Sequence, residues 1–266
     1  MKALVPGLGL YSIGVRGLTV PGLLGWAALH RIPFVHLRGG RRGFNVAAVS
    51  DAVLDLWRGH IETSVPVTMV TAENTLDDLL NTRGETSLAA RQQLIRTAEA
   101  ARRLGAGSVR VLATSHPNLA EVNRAAPVDI GLPLLIELHD SGWWSPLGID
   151  ALSSLIASWP RVRLLADSGQ ANAAVTHLGN DTAPEAVAWV VSHADVLHLS
   201  DDGAGLDGPG HRLLAKHAQT ALRISRPLEV AVEWTGPDRR PMTCLDRYQR
   251  ASTWWSTIGV NTEAVP

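Results

Sequence analysis

Residues 132–139 read Leu-Pro-Leu-Leu-Ile-Glu-Leu-His, an apolar run that ends in a carboxylate and an imidazole. Three later apolar runs end in the same manner, as Leu-Leu-Ala-Asp167, Val-Leu-His198-Leu and Val-Ala-Val-Glu233. A short apolar run that stops at an ionisable residue is typical of a buried parallel strand whose carboxyl end faces a ligand. The four stretches therefore predict consecutive β-α units with functional groups gathered at one edge of a sheet.

Short apolar runs alternate with longer amphipathic segments through the whole chain, which predicts eight strands with helices between them. The strands are expected near Gly7 to Ile13, Phe34 to Leu37, Val65 to Val70, Val109 to Ala113, Leu132 to Leu138, Val162 to Ala166, Val196 to Leu199 and Leu228 to Val232. The helices are expected at Pro21 to His30, Asp51 to Arg58, Ser87 to Leu104, Asp150 to Ser158, Pro184 to His193, His211 to Leu222 and Leu245 to Ser256. Ser87 is predicted to cap its helix and Gly105 to end it in the left-handed conformation. Between strands four and five, only a brief helical pattern is present near Leu119 to Asn123, so that helix is expected to be short or missing.

Eight strands separated by helices fit either a closed barrel or an open doubly wound sheet. The chain has no Gly-x-Gly-x-x-Gly turn after its first strand and no phosphate loop of the P-loop type, which favours the barrel. A length of 266 residues with 45% hydrophobic composition suits one large barrel better than two ordinary domains. We therefore expect a single (β/α)8 TIM barrel over residues 1–266.

Composition narrows the expected partners and location. A net charge of −1 offers no long-range attraction to nucleic acid, so a small-molecule substrate is expected instead. The apolar runs are too short to span a membrane and the chain start lacks a secretory signal pattern, so we expect a cytoplasmic protein. Cys244 is the only cysteine, so any metal must be bound by histidine and carboxylates. The pairs Arg41-Arg42 and Arg239-Arg240 are expected to form either a local anion patch or, more commonly, a solvated loop surface.

The four strand-end groups are candidates for a metal centre. Side chains alternate along a strand, so Glu137 and His139 share a face, and the carboxyl ends of strands five to eight lie side by side in a barrel. Three carboxylates and an imidazole at an apolar barrel mouth would repel one another or take up protons unless a cation neutralised them. The expected cofactor is therefore a divalent ion (Mn, Mg, Co or Zn) with Glu137, Asp167, His198 and Glu233 as its ligands.

A single carboxylate at a strand end is more often a helix N-cap or part of a loop salt bridge than a metal ligand. The four candidate ligands are separated by 30, 31 and 35 residues, each about the length of one β-α unit. This regular spacing favours the metal site for the set as a whole.

The same stretches resemble motifs of the xylose-isomerase-like superfamily of sugar isomerases, epimerases, inosose dehydratases and endonuclease-IV-like proteins. Ile136-Glu137-Leu-His139 resembles the family's fifth-strand Glu-x-His, and Leu165-Ala-Asp167-Ser-Gly169 resembles its sixth-strand Asp-Thr-Gly-His. Leu197-His198-Leu-Ser-Asp201 resembles the seventh-strand His-x-Lys-Asp, and Gly208-Pro-Gly210 with Glu233 completes the order. The resemblance covers roughly residues 132–235 and implies a TIM barrel.

In epimerases of this family, the residues that match Glu137, Asp167, His198 and Glu233 bind the metal. The resemblance further implies that Glu137 and Glu233 lie on opposite faces of the substrate and exchange its proton, while the ion stabilises an ene-diolate. Members of the family often form dimers or tetramers, so a homo-oligomer is expected by analogy.

Three features depart from the family's pattern. Gln170 stands where the motif has His, and an amide binds a hydroxyl but does not transfer a proton near neutral pH. Ser200 replaces the usual Lys. No Arg lies between Asp201 and His211 to clamp a phosphate, so a phosphorylated sugar is not expected.

Polar and aromatic residues near the strand ends are candidates for the substrate pocket. Trp143, Trp144 and Trp234 are expected either to stack on a substrate or to fill apolar gaps under the loops. His36 and Arg38 share one face of the second strand and are expected to face the pocket or to hold a loop, and Tyr11 and Glu73 are weaker candidates. The predicted substrate-binding set is His36, Arg38, His139, Trp143, Trp144, Gln170, Asp201 and Trp234.

These features predict a divalent-metal-dependent isomerase or epimerase that acts on a small sugar, keto-sugar or cyclitol-like substrate, with proton transfer by Glu137 and Glu233. The first alternative is a metal-dependent lyase or dehydratase of specialised metabolism, which Gln170 and Ser200 favour slightly. An endonuclease-IV-like DNA repair enzyme would need further metal-ligand histidines on earlier strands, where only His36 is well placed. A barrel that binds a ligand without catalysis is the remaining alternative.

Overall fold

The structure is a computed structural model that describes residues 7–81, 85–116, 118–179 and 182–260. Eight parallel strands form a closed barrel in which each strand pairs with the next and the last pairs with the first. The strands are β1 (Leu8–Tyr11), β2 (Val35–Arg38), β3 (Val67–Thr75), β4 (Ser108–Ala113), β5 (Leu134–Leu138), β6 (Val162–Asp167), β7 (Ala194–Asp201) and β8 (Glu229–Trp234). Each predicted strand overlaps an observed one, and the predicted (β/α)8 TIM barrel is confirmed.

Helices connect successive strands and pack around the barrel. In the described ranges they are α1 (Val20–Leu29), α2 (Asp51–Thr63), α3 (Leu76–Leu80), α4 (Glu85–Leu104), α5 (Leu119–Val122), α6 (Pro146–Ser158), α7 (Ser168–Leu178), α8 (Ala183–His193), α9 (Pro209–Arg223) and α10 (Pro241–Val260). The four-residue helix α5 lies in the connection between β4 and β5. Across the described residues, no helix has the length and apolar character needed to cross a membrane.

The two ends of α4 differ in how well the sequence predicts them. The prediction that Ser87 caps this helix is wrong, because α4 begins at Glu85. The hydroxyl of Ser87 instead donates to the backbone carbonyl of Asn81. Gly105 has a φ angle of +81°, which confirms the predicted left-handed end.

The sequence pattern does not predict α3 or α7. Each of these helices begins at the residue directly after the end of a strand, without an intervening polar loop. Thr75 ends β3 and forms a capping box with Asp78, and Asp167 ends β6 and accepts a hydrogen bond from the backbone N–H of Gln170 at 2.9 Å. Asp167 is therefore both a candidate metal ligand and a helix N-cap.

Side chains that point into the barrel form an apolar layer with a polar layer above it. The apolar layer consists of Met69, Leu135, Leu165 and Val196. Because side chains on a strand alternate, the residues two positions after the last three of these also point inward. Those residues are Glu137, Asp167 and His198. The strand register thus places three of the candidate metal ligands directly above an apolar floor.

Candidate metal centre

Four buried side chains converge at the carboxyl ends of neighbouring strands. Glu137, Asp167, His198 and Glu233 come from β5, β6, β7 and β8 respectively. One ligand atom from each lies within 4.8 Å of the corresponding atoms of the other three. The structure thus brings together all four residues of the predicted metal set, and their binding of an ion stays a prediction.

The cluster forms part of the wall of a cavity of about 480 Å³ at the barrel mouth. This volume is in the range of small-molecule binding sites. Glu137 and Glu233 line the cavity together with two predicted substrate residues, Arg38 and His139. Its walls also include Tyr11, Arg42, Thr71, Glu73, Arg110 and Thr114.

Glu137 lies between a histidine and an arginine. Its Oε1 accepts a hydrogen bond from Nε2 of His139 at 2.8 Å, and its Oε2 lies 2.8 Å from Nε of Arg110. The N–H of Arg110 does not point at this oxygen, so the contact is an ion pair without a hydrogen bond. Burial alone would raise the pKa of Glu137, but Arg110 and the hydrogen bond from His139 lower it to about 2. Glu137 is therefore ionised, and its Oε2 has lone pairs available for a cation.

Asp167 and Glu233 have the opposite electrostatic environment. Burial, followed by the charges of Glu233 and Glu137, raises the pKa of Asp167 well above its ordinary value. Burial, followed by the charge of Glu137, raises the pKa of Glu233 to about 8. Without a cation, the carboxyl group of Glu233 therefore holds a proton at neutral pH, and Asp167 takes up a proton more readily than an ordinary aspartate, as expected for acidic groups crowded in a buried site.

A chain of hydrogen bonds runs from His198 through His36 to Glu229 at the opposite end of the barrel. Nε2 of His198 is 3.0 Å from Nδ1 of His36, and Nε2 of His36 is 3.3 Å from Oε2 of Glu229. Burial lowers the pKa of both histidines to about 4, so both rings are neutral at neutral pH. A carboxylate accepts hydrogen bonds, so His36 donates from Nε2 to Glu229 and accepts the Nε2–H of His198 at its own Nδ1.

This tautomer leaves Nδ1 of His198 as a lone pair that faces the cluster. The atom lies 3.0 Å from Oε2 of Glu233. Since the pKa of Glu233 is about 8, its carboxyl O–H donates to this nitrogen at neutral pH. A hydrogen-bonded partner that fixes the outer nitrogen is a common feature of metal-binding histidines.

Sequence reasoning did not select Arg110 or Glu229, although both contact the site residues. Arg110 interrupts the apolar run of β4, and its guanidinium also donates to the hydroxyl of Tyr11 at 2.9 Å. Glu229 is the first residue of β8. A charged residue within an apolar strand requires a partner when it is buried, and that rule selects both positions from the sequence alone.

Three other predicted pocket residues differ in their relation to the cavity. Gln170 lies beside it, with Nε2 3.5 Å from Nδ1 of His139. His36 is fully buried beneath His198 and does not line the cavity. Asp201 accepts two backbone N–H groups of its own loop. These positions favour a structural contribution from His36 and Asp201.

The three tryptophans are buried away from the cavity. Nε1 of Trp143 donates to the backbone carbonyl of Ser115 at 2.7 Å, and Trp144 is equally inaccessible to solvent. Nε1 of Trp234 donates to the backbone carbonyl of Asp238 at 2.6 Å. Each indole thus fills space beneath a loop, which favours the second of the two expectations for these residues.

The chemistry of the cluster fits a divalent ion. Oε2 of Glu137 is buried and accepts no hydrogen bond, and Nδ1 of His198 is a lone pair. A cation would displace the proton on Glu233. Three carboxylates and one imidazole suit Mn, Mg, Co or Zn without selecting among them. Elsewhere in the described part of the chain, no further group of His, Cys, Asp and Glu has this spacing.

No model of a known protein family matches the sequence, and no curated protein sequence matches it either. Solved structures do match over nearly the whole chain. A structure of the IOLI protein with a bound zinc atom has a TM-score of 0.68 and 14% identity, and the match covers 96% of this chain and 98% of that one.

Two further solved structures match over a similar length. D-psicose 3-epimerase from Clostridium cellulolyticum H10, solved with D-tagatose, has a TM-score of 0.65 and 11% identity, covering 94% of this chain and 98% of that one. A xylose isomerase-like TIM barrel protein from Mycobacterium smegmatis, solved with magnesium, has a TM-score of 0.62 and 12% identity, covering 95% and 97%. The likeness shows that this chain shares the barrel fold of these solved structures.

Proposed function

We propose that this protein is a divalent-metal-dependent isomerase or epimerase that acts on a small sugar, keto-sugar or cyclitol-like substrate. The observation that carries the proposal is the buried cluster of three carboxyl groups and one imidazole at the cavity of about 480 Å³. Solved structures of the same fold include a sugar epimerase and two proteins with bound zinc or magnesium, which supports the proposal.

Glu137, Asp167, His198 and Glu233 would hold the ion. A bound divalent ion supplies electrophilic stabilisation of the negative charge that develops on a substrate oxygen during proton abstraction. The apolar layer below the cluster excludes water from that side, and the chain through His36 keeps the Nδ1 lone pair of His198 directed at the cluster.

We assign the proton transfer to Glu137 and Glu233. Both carboxyl groups line the cavity, and their strands, β5 and β8, are separated by β6 and β7 around the ring. The two carboxyl groups therefore approach a bound molecule from different directions, as removal and return of a proton require. His139 orients the carboxylate of Glu137 through Oε1. Gln170, beside His139, is placed to bind a substrate hydroxyl.

A metal-dependent lyase or dehydratase is the second candidate. The observation that favours it is the amide of Gln170, which lies next to His139 at the cavity and does not transfer protons at neutral pH. A site with fewer proton-transferring groups suits a reaction in which the abstracted proton is not returned to the opposite face.

Elemental analysis of the purified protein, before and after chelator treatment and reconstitution, tests the metal site. We expect about one divalent ion per chain in the wild type and a loss of the ion in His198→Ala and Asp167→Asn. Asp195→Asn is the matched control, because Asp195 is a half-exposed carboxylate at the start of β7, outside the cluster. A wild-type protein that takes up no divalent ion on reconstitution would contradict the proposal.

Proton exchange in D₂O tests the chemistry. Ketoses and cyclitols are incubated with the reconstituted protein, and deuterium incorporation is followed by NMR. Incorporation that requires the ion and is lost in Glu137→Gln supports the isomerase or epimerase. A product that has lost water supports the lyase, and a reconstituted protein that exchanges no proton of any compound contradicts both.

A further inference from the structure

A second cavity, of about 580 Å³, adjoins the candidate metal centre. It is formed by Arg38 at the end of β2 and by residues that follow β1, β2 and β8. Its walls share Ile13, Arg38 and Arg42 with the cavity that contains Glu137 and Glu233. The two cavities are therefore neighbouring parts of one barrel mouth.

Among the described residues, the charged side chains that line this second cavity are all arginines, and no Asp or Glu lines it. The arginines are Arg16, Arg38, Arg42 and Arg239. Within the part of the chain that the structure describes, none of the four has a carboxylate oxygen within ion-pair distance. The guanidinium of Arg239 donates to three backbone carbonyls, which satisfies its N–H groups but not its charge. We call the cavity that these four residues line the arginine cavity.

Each of the two Arg-Arg pairs of the sequence has one member that lines this cavity; Arg42 is itself exposed, whereas Arg239 is half-buried. Arg41 is 74% exposed and lies 3.5 Å from Oε2 of Glu73, whereas Arg42 lines the cavity. Arg240 is 82% exposed and lies 2.7 Å from Oδ2 of Asp238, whereas Arg239 lines the cavity. In each pair, one arginine has a carboxylate partner, and the arginine that lines the cavity has none among the described residues. Three of the four arginines are exposed, as the prediction of a solvated loop surface expects, and Arg239 is half-buried.

The uncompensated charges act on one another. Burial, followed by the positive charges of Arg16 and Arg38, lowers the pKa of Arg239. Like charges held at one wall are unfavourable, and an anion placed among them removes that repulsion. Guanidinium groups bind carboxylate and phosphate oxygens through paired N–H donors, which makes arginine the preferred residue for such groups.

We propose that the arginine cavity binds an oxyanion group of the substrate, a carboxylate or a phosphate, while the other end of the same molecule reaches Glu137 and Glu233. This inference rests on the proposed function and narrows its substrate class to small polyhydroxylated acids or sugar phosphates. The loop between Asp201 and His211 has no arginine to bind a phosphate. The arginines come instead from the segments after β1, β2 and β8, so the sequence-based argument against a phosphorylated sugar does not hold for this structure.

Titration of the full-length protein with inorganic phosphate, followed by calorimetry, tests the anion site by itself. A chelator is present, so phosphate has no metal ion to bind and failure of the metal site does not affect the result. We expect Arg42→Gln to weaken phosphate binding about tenfold, the effect of one charge-assisted hydrogen bond, and Arg16→Gln to weaken it in the same direction.

The adjacent arginines provide matched controls. Arg41→Gln and Arg240→Gln remove the same charge from the same loops, and we expect them to change phosphate affinity by less than about twofold. Thermal unfolding confirms that each exposed-loop variant is folded. Absence of phosphate binding in the wild type, or equal losses in Arg41→Gln and Arg42→Gln, would overturn the proposal.

A substrate panel then distinguishes the two kinds of oxyanion. D-fructose, D-fructose 6-phosphate and D-glucuronate are compared for metal-dependent deuterium exchange. Faster exchange of the phosphate or of the acid than of the neutral sugar, with the preference lost in Arg42→Gln, supports the proposal and identifies the group. Exchange of the neutral sugar alone, unaffected in Arg42→Gln, overturns the anion site and leaves the isomerase function intact.

Discussion

The Glu233→Gln substitution removes a titratable group from the cluster but keeps the shape of the side chain and a donor to Nδ1 of His198. In the folded protein without metal, the pKa of Glu233 is raised to about 8 from an ordinary value of 4.5. Between these two pH values the folded chain binds more protons than the unfolded chain. The contribution of Glu233 to the free energy of unfolding is therefore fully present below pH 4.5 and is lost as the pH rises to about 8.

The size of this effect follows from the pKa. At pH 7 it amounts to at most about 3 kcal/mol, since each pKa unit is equivalent to about 1.4 kcal/mol. Glutamine does not titrate, so the variant without metal is expected to be more stable than the wild type by up to that amount at pH 7. At pH 5 the difference is expected to be below about 1 kcal/mol. For a chain of this length, the difference at pH 7 raises the midpoint of thermal unfolding by about 6–12 °C.

Thermal unfolding followed by circular dichroism at pH 5 and pH 7, with a chelator, measures this difference. Glu99→Gln, at an exposed position on α4, is the control for loss of a carboxylate outside the cluster. With saturating Mn²⁺ the order is expected to reverse, because the amide is a poorer ligand and the ion stabilises the wild type more. A variant that is less stable than the wild type at pH 7 with chelator, or a difference that is the same at both pH values, would refute the electrostatic account.

Two further predictions concern residues that contact the cluster. His36→Leu removes the nitrogen that accepts the Nε2–H of His198. We expect the affinity for a divalent ion, measured by calorimetry, to fall roughly 10–100-fold. An affinity equal to that of the wild type would contradict the hydrogen-bonded chain that fixes the tautomer of His198. Arg110→Met leaves Glu137 without its buried counter-charge, so we expect the metal-free protein to lose about 3–5 kcal/mol of stability in denaturant unfolding and to regain part of it on adding Mn²⁺. Arg163→Met, at a half-exposed position on β6, is its control, and an Arg110→Met variant as stable as the wild type would rule out the ion pair as a structural contact.

The strands were predictable because most of their residues are buried on both faces and therefore appear as short, largely apolar runs. The helices α3 and α7 were not, because Thr75 and Asp167 each end a strand and cap a helix in the same residue. Sequence signals separate a strand from a helix by an intervening polar loop, and here that loop is absent.

The four-residue cluster was predictable because it depends only on the alternation of side chains and on equal strand ends around a barrel. The contacts of Arg110 and His36 were not predictable, because they depend on which inward-pointing side chains from different strands lie at the same level along the barrel axis. Trp143 illustrates the same limit, since its position after a strand end does not reveal whether the indole turns toward the cavity or beneath the loop. Periodicity specifies the face on which a side chain lies but not its partner across the barrel.

The hydrogen-bonded chain from Glu229 to His198 also bears on how such a protein changes in evolution or in the laboratory. TIM barrels are commonly treated as two separable halves, with activity selected in the loops at one end and stability selected at the other. In this barrel, a residue at the start of β8 determines which nitrogen of His198 carries the proton. A mutant library confined to the loops would leave the tautomer of His198 unchanged. A library that varies position 229 to improve stability would also change the candidate metal centre at the other end of the barrel.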